Sequence, residues 1–206
     1  MNFNILKPRH AVESAFKKPN AALGLGLVLA SVVVTIAAWF MHFPGGDIVA
    51  FAIPNLVATF IYFFAAAILI YLFGFILKGK EAVSGKMSGI LSALGLLAIL
   101  SIAGTVIWAL LLPFALGPET MELARAMNAG QLSPQEFAGF FELLLNNGVE
   151  MVNMGMLTAL GVASFALGLW AAVLFYFTVS KIFNYRLLGN IVMLVVFALI
   201  MGILPL

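Results

Sequence analysis

Charged residues cut this chain into five long uncharged runs. Pro19–Gly46 holds 28 residues without a charge, Ile48–Leu77 holds 30 and Met87–Pro118 holds 32. Met151–Ser180 holds 30 more, and Leu187–Leu206 holds 20. A bilayer core is crossed by ~20 helical residues, so each run fits one span and none fits two. Lipid offers the backbone no hydrogen-bond partners, and the alternation of a barrel strand is not seen, so the spans are helices. The pattern predicts an all-α, polytopic membrane helix bundle, a single membrane domain over 1–206. Its five transmembrane helices lie within 19–46, 48–77, 87–118, 151–180 and 187–206.

Two polar segments carry helical periodicity of their own. In "NILKPRHAVESAFKKP", Pro8 suits the first turn of a helix. Val12, Ala15 and Phe16 share one face with Ala11 beside them, while Arg9, His10, Lys17 and Lys18 are polar. Residues 1–18 are therefore expected to form a basic interfacial helix on the inner leaflet. The plainer reading, a basic flank that orients the first span, is compatible with it.

The other segment, 117–150, predicts a helical hairpin outside the membrane. "GPETMELARAMNAG" reads as a short helix ending near Gly130. "SPQEFAGFFELLLNN" opens on a capping box, Ser133 with Glu136, and Pro134 fits its first turn. Phe137, Phe140, Phe141, Leu144 and Leu145 then fall on one face. Helices lying on a membrane are usually rich in Lys and Arg, and none occurs from Ala126 to Met151. The outer-helix docking face of Phe137, Phe140, Phe141 and Leu144 is thus expected on the outer end of the bundle or on a partner.

Composition agrees with a membrane protein. Hydrophobic residues make up 64% and charged residues 9%, against about 25% charge in a soluble domain. With no cysteine, disulfide and thiolate chemistry are excluded. The charges also set orientation. Lys7, Arg9, Lys17, Lys18, Lys78, Lys80, Lys86, Lys181 and Arg186 fall on one side, and Arg125 alone on the other. Basic loops stay in the cytoplasm, so the N-terminus is placed inside and Leu206 outside. Nine bases with two acids give +7 inside, and one base with six acids gives −5 outside. The first run is longer than the ~7–15 residues of a signal peptide's apolar region, and the bulky "AAWFMHF" follows it. A retained span is the expectation.

Candidate chemistry is sparse. "KGKEAVSGKMS" is near a phosphate-binding loop, but Lys80 stands at the first glycine and Met87 at the magnesium-binding hydroxyl. A short cytoplasmic connector is the better reading. The spans hold mild polar groups such as Ser31, Asn55, Thr59, Ser101 and Thr105, with no charge and no deep histidine. Proton relays and ion pathways need ionisable groups, and hydrolases need a nucleophile with its base or a metal. The chain is expected not to be an enzyme, and no cofactor or metal is expected. Small residues recur at four-residue spacing at Gly85–Gly89, Ser88–Ser92 and Gly168–Ala172, positions expected to pack helix on helix. Trp39, Trp108, Trp170, Tyr62, Tyr71 and Tyr176 read as aromatic anchors or core.

Three stretches resemble the Yip family. They are "ILKPRHAVESAFKKPNAALGLGLVLASVVV", "FGFILKGKEAVSGKMSGILSALG" and "LGLWAAVLFYFTVSKIFNYRLLGNIVM". The resemblance covers most of the chain apart from 117–150. It implies a five-span protein with a cytosolic N-terminus, whose eukaryotic relatives act in vesicle trafficking and bind small GTPases. Those relatives carry a long cytosolic N-terminal region, and here 18 residues precede the first uncharged run. A prokaryotic-type member is therefore expected, and the resemblance leaves open whether GTPase binding survives without that region.

Two functions follow from these readings. One is a non-enzymatic membrane scaffold of Yip-like type, in membrane organisation or a trafficking-like role. The other is a transporter or channel component for a neutral or lipidic solute, with 117–150 as an outer lid. The expected partners are the lipid bilayer of the cell membrane and a second copy or another membrane protein; no nucleic acid is expected.

Overall fold

The computed structural model describes residues 5–44, 47–128 and 153–183, and every regular element among them is a helix. In chain order these are α1 (Pro8–Lys17), α2 (Ala21–His42), α3 (Ile48–Lys78), α4 (Lys80–Val83), α5 (Met87–Ala115), α6 (Pro118–Asn128) and α7 (Met154–Phe183). The expected fifth span, 187–206, lies outside the described residues. So does the outer helix with Phe137, Phe140, Phe141 and Leu144.

Four helices are long and apolar enough to cross a membrane: α2, α3, α5 and α7, with 22, 31, 29 and 30 residues. This is the mark of a multipass integral membrane protein. Burial supports it. In the most apolar stretch of α7 only 11% is buried within the protein, and even in α5 only 44%. The remainder includes outward-facing Val33, Ile61, Leu110, Val162 and Phe165. Water would penalise so much contiguous apolar surface, and lipid does not.

Helix starts are set by local chemistry. The Asn20, Asp47 and Asn153 side-chain oxygens accept from Leu23 N–H (2.9 Å), Val49 N–H (2.8 Å) and Met156 N–H (3.1 Å). Each satisfies a backbone donor that the first helical turn leaves open. Pro8 opens α1, where its missing N–H costs nothing. Helices α3 and α5 contain Pro54 and Pro113, and Asn55 Nδ2 donates to Phe51 O at 2.8 Å just below the first of these.

The chain divides into two compact units, each described by itself. The first takes residues 1–32, 56–101 and 168–206. Its core joins Ile70, Ile90, Leu94, Phe175, Val179 and Phe183 from three helices. Helix α1 buries Ala11, Val12 and Ala15, and the Phe16 ring packs where a side chain on Gly89 would stand. The apolar face of α1 is therefore covered by protein. Trp170 Nε1 of α7 donates to Ile5 O at 2.9 Å and ties down the residues before α1. Gly79 (φ 84°) and Gly85 (φ 68°) bracket α4 in the left-handed region that side chains rarely adopt. Between them Val83 is buried and fills the space beside Gly74.

The second unit takes residues 33–55 and 102–167. Trp39 stacks on Phe51, rings 4.2 Å apart and nearly parallel. Buried His42 sets Nε2 2.8 Å from Ala109 O, so Nε2 carries the proton, and it meets Trp108 edge-on at 6.0 Å. Arg125 Nε on α6 donates to His42 O at 2.8 Å. Asn153 N–H donates to Ala115 O at 2.9 Å, holding the start of α7 to the end of α5.

Candidate functional site

Within the first unit, α2, α3, α5 and α7 enclose an open cavity of about 480 Å³. It falls inside the ~300–1,000 Å³ range of small-molecule sites. Among the described residues no charged one lines it. Its walls are mostly aliphatic and aromatic, with Phe63 and Phe175 buried in the adjoining core. Four hydroxyls punctuate the lining: Ser31, Thr59, Tyr62 and Ser101. Ser31 Oγ donates to Val28 O at 2.7 Å, the usual way a helical hydroxyl satisfies itself.

Tyr62 differs. Its Oη is buried and meets no hydrogen-bond partner among the described residues. A buried hydroxyl without a partner costs on the order of 1–3 kcal/mol. The residue stands in the middle of its helix. Tyr62 stands 14 residues after Ile48 and 16 before Lys78 on α3. At 1.5 Å per residue, that is about 21 and 24 Å from the helix ends. Membrane tyrosines gather at the two interfaces, where the hydroxyl meets water. The sequence reading of Tyr62 as anchor or core did not address its hydroxyl.

The positions expected to pack helices fall in different surroundings. Ser92 is fully buried; its Oγ donates to Ser88 O at 2.7 Å and accepts from Asn20 N–H at 2.7 Å. Gly89 receives the Phe16 ring. Gly85 occupies the turn before α5, with open space where a side chain would stand. Gly168 likewise has no neighbour within 4 Å of that position, and Ala172 lines the cavity. A close approach of α2 and α5 involves Gly24 and Gly95, which within-helix spacing did not single out. A Cβ on Gly24 would meet Leu91 O at 2.5 Å, and one on Gly95 would fall against Gly24. Ser88, Ser92 and Gly95, at spacings of four and three, form one stripe of α5 and were the available signal.

A polar recess of about 370 Å³ lies between α1 and the last turns of α7, lined by Arg9, Glu13, Ser180 and Lys181 among others. Arg9 Nε donates to Glu13 Oε1 at 3.0 Å. That hydrogen bond holds the Glu13 carboxyl below its ordinary range; partial burial works against it, and the charges of Arg9, Lys181 and His10 assist.

No protein-family model, curated protein or solved structure matches the chain.

Among the described residues no cluster of His, Asp or Glu is arranged to hold a metal ion. The chemistry available at the cavity is apolar contact.

Proposed function

We propose that this chain is a non-enzymatic membrane organiser of Yip-like type, with five spans, a cytoplasmic N-terminus and an outward C-terminus, seated in the cell membrane. The supporting observation is the backbone-to-backbone crossing of α2 and α5 at Gly24 and Gly95. Helices in such contact cannot slide or rotate without first separating, which suits a fixed platform better than a rocking carrier. The buried face of α1 adds a second brace on the basic side. The protein acts as a homo-oligomer or beside another membrane protein, with the bilayer as its substrate.

Reconstitution tests this reading. Purified protein in liposomes should cross-link as an oligomer and change vesicle diameter with protein dose, imaged by electron cryomicroscopy. A monomer that leaves vesicle shape unchanged at every dose would contradict it.

The cavity favours a second reading, a carrier or channel component for a neutral or lipidic solute with 117–150 as outer lid. Under that reading the reconstituted protein moves such a solute between leaflets.

A further inference from the structure

We infer that the polar recess between α1 and α7 binds a singly charged phosphodiester, the group carried by an anionic lipid headgroup or by its water-soluble counterpart. This goes beyond the organiser reading and holds whatever the number of spans.

Two helices supply its polar walls. Arg9 and Glu13 stand one turn apart on α1, and Tyr176, Phe177, Ser180 and Lys181 occupy successive turns of one face of α7. The recess, about 370 Å³, has room for a small polar group with its substituents. Donors outnumber acceptors on it. A guanidinium carries five N–H donors, and the pair with Glu13 Oε1 takes the one on Nε. The Lys181 ammonium brings three more, and it forms no ion pair among the described residues. Tyr176 and Ser180 add hydroxyls. An anion with several oxygens suits such a set.

Charge sets the class of anion. Arg9 and Lys181 against Glu13 leave a net +1 on the lining, two cations less one carboxylate. One negative charge balances that. A doubly charged phosphomonoester would overshoot it and meet the Glu13 carboxylate, which its Arg9 partner keeps ionised at neutral pH. A bare carboxylate balances the charge but leaves most of the recess unfilled. A phosphodiester fills it: its non-bridging oxygens take donors from Arg9 and Lys181, and a hydroxyl on its alcohol donates to Glu13. Two sources offer that group. Helix α7 is long and apolar enough to cross a membrane, and its uncharged run stops at Ser180, on the recess wall. Anionic headgroups gather beside basic residues where a span leaves lipid, and a soluble phosphodiester reaches the same place from water.

The test titrates the full chain in detergent micelles with dioleoyl phosphatidylglycerol, and native mass spectrometry counts the bound lipid. One phosphatidylglycerol should bind in preference to dioleoyl phosphatidylcholine, whose quaternary ammonium cancels the charge of its phosphate. Lys181→Gln should weaken phosphatidylglycerol binding about tenfold, the equivalent of about 1.4 kcal/mol, and Lys181→Arg should retain it. Lys18→Gln removes the same charge nine residues beyond Arg9, about 13 Å along α1 and past the ~10 Å screening length. It should leave binding unchanged. Excess glycerophosphoglycerol, the headgroup without its chains, separates the sources. Displacement of the lipid assigns the recess to a soluble phosphodiester, and failure to displace assigns it to the lipid; both uphold the site. Binding undiminished in Lys181→Gln, or weakened equally in Lys18→Gln, would mean diffuse attraction to the basic flanks and would overturn the inference. Equal binding of the two lipids would overturn it as well.

Discussion

Gly24 and Gly95 touch through their backbones: a Cβ on Gly95 would fall against the Gly24 Cα and 2.9 Å from its carbonyl oxygen. Without a hydrophobic driving force in lipid, spans associate through close packing of this kind. Nearby, Asn20 N–H donates to Ser92 Oγ and joins the two helices just below the crossing.

Gly95→Ala should therefore destabilise the protein by about 1–3 kcal/mol, the usual cost of overpacking a filled site. Gly168→Ala is the control, since no atom lies within 4 Å of the added methyl. It should be neutral or stabilising by up to about 1 kcal/mol, the helix-propensity gap between the two residues. Unfolding in detergent, followed by circular dichroism, measures both. A Gly95→Ala protein as stable as Gly168→Ala would contradict the close crossing.

The helicity of α1 should depend weakly on pH through Glu13, whose partner Arg9 lies one turn back on the same helix. Its hydrogen bond from Arg9 lowers the Glu13 carboxyl below the ordinary 4.5, against a partial opposing effect of burial. A depressed carboxyl stabilises the fold above the unfolded-state value, and that contribution is lost as pH falls through the folded-state value. The helix should be constant from neutral pH down to about 4.5 and fray slightly only below it. Emission from Trp170, whose indole N–H is held by Ile5 O, reports the change; Trp170→Phe identifies its share. Glu13→Gln should remove the acid transition, and an unchanged transition in that variant would exclude Glu13 as its source.

Arg125→Ala should loosen α6. Its guanidinium donates to His42 O at 2.8 Å, while the rest of the side chain is exposed. Hydrogen bonds to charged groups contribute roughly 1.5–3 kcal/mol, and exposure brings the expectation here to about 1. Amide hydrogen exchange over residues 118–128 should accelerate several-fold, with α3 unaffected. Equal protection in wild type and variant would show that the contact does not hold α6.

Much of this organisation could be read from charge alone. Helix α2 falls inside the 19–46 run and α5 inside 87–118, while α3 fills 48–77 and takes in Lys78. Helix α7 runs on through Lys181 to Phe183, because a lysine marks the exit from lipid without ending a helix, its stem lying along apolar surface while the charge reaches water. Pro8 and the 117–130 pattern likewise indicated α1 and α6. The crossing at Gly24 and Gly95 was not legible, because close approach is a property of two helices and spacing within one helix reports only a permissive face. The cavity was not legible either. It is the space left where four helices do not meet, and no single run encodes it.

Membrane topology is the most direct test of the account. The chain has no cysteine, so single cysteines at Lys80, Gln131 and Pro205 report without background. Labelling with an impermeant maleimide in intact cells should reach Gln131→Cys and Pro205→Cys, and should reach Lys80→Cys only after the membrane is opened. Lys80→Cys and Gln131→Cys labelling from the same side would contradict the nine-to-one placement of Lys and Arg across the membrane. Pro205→Cys labelling together with Lys80→Cys would reduce the five spans to four.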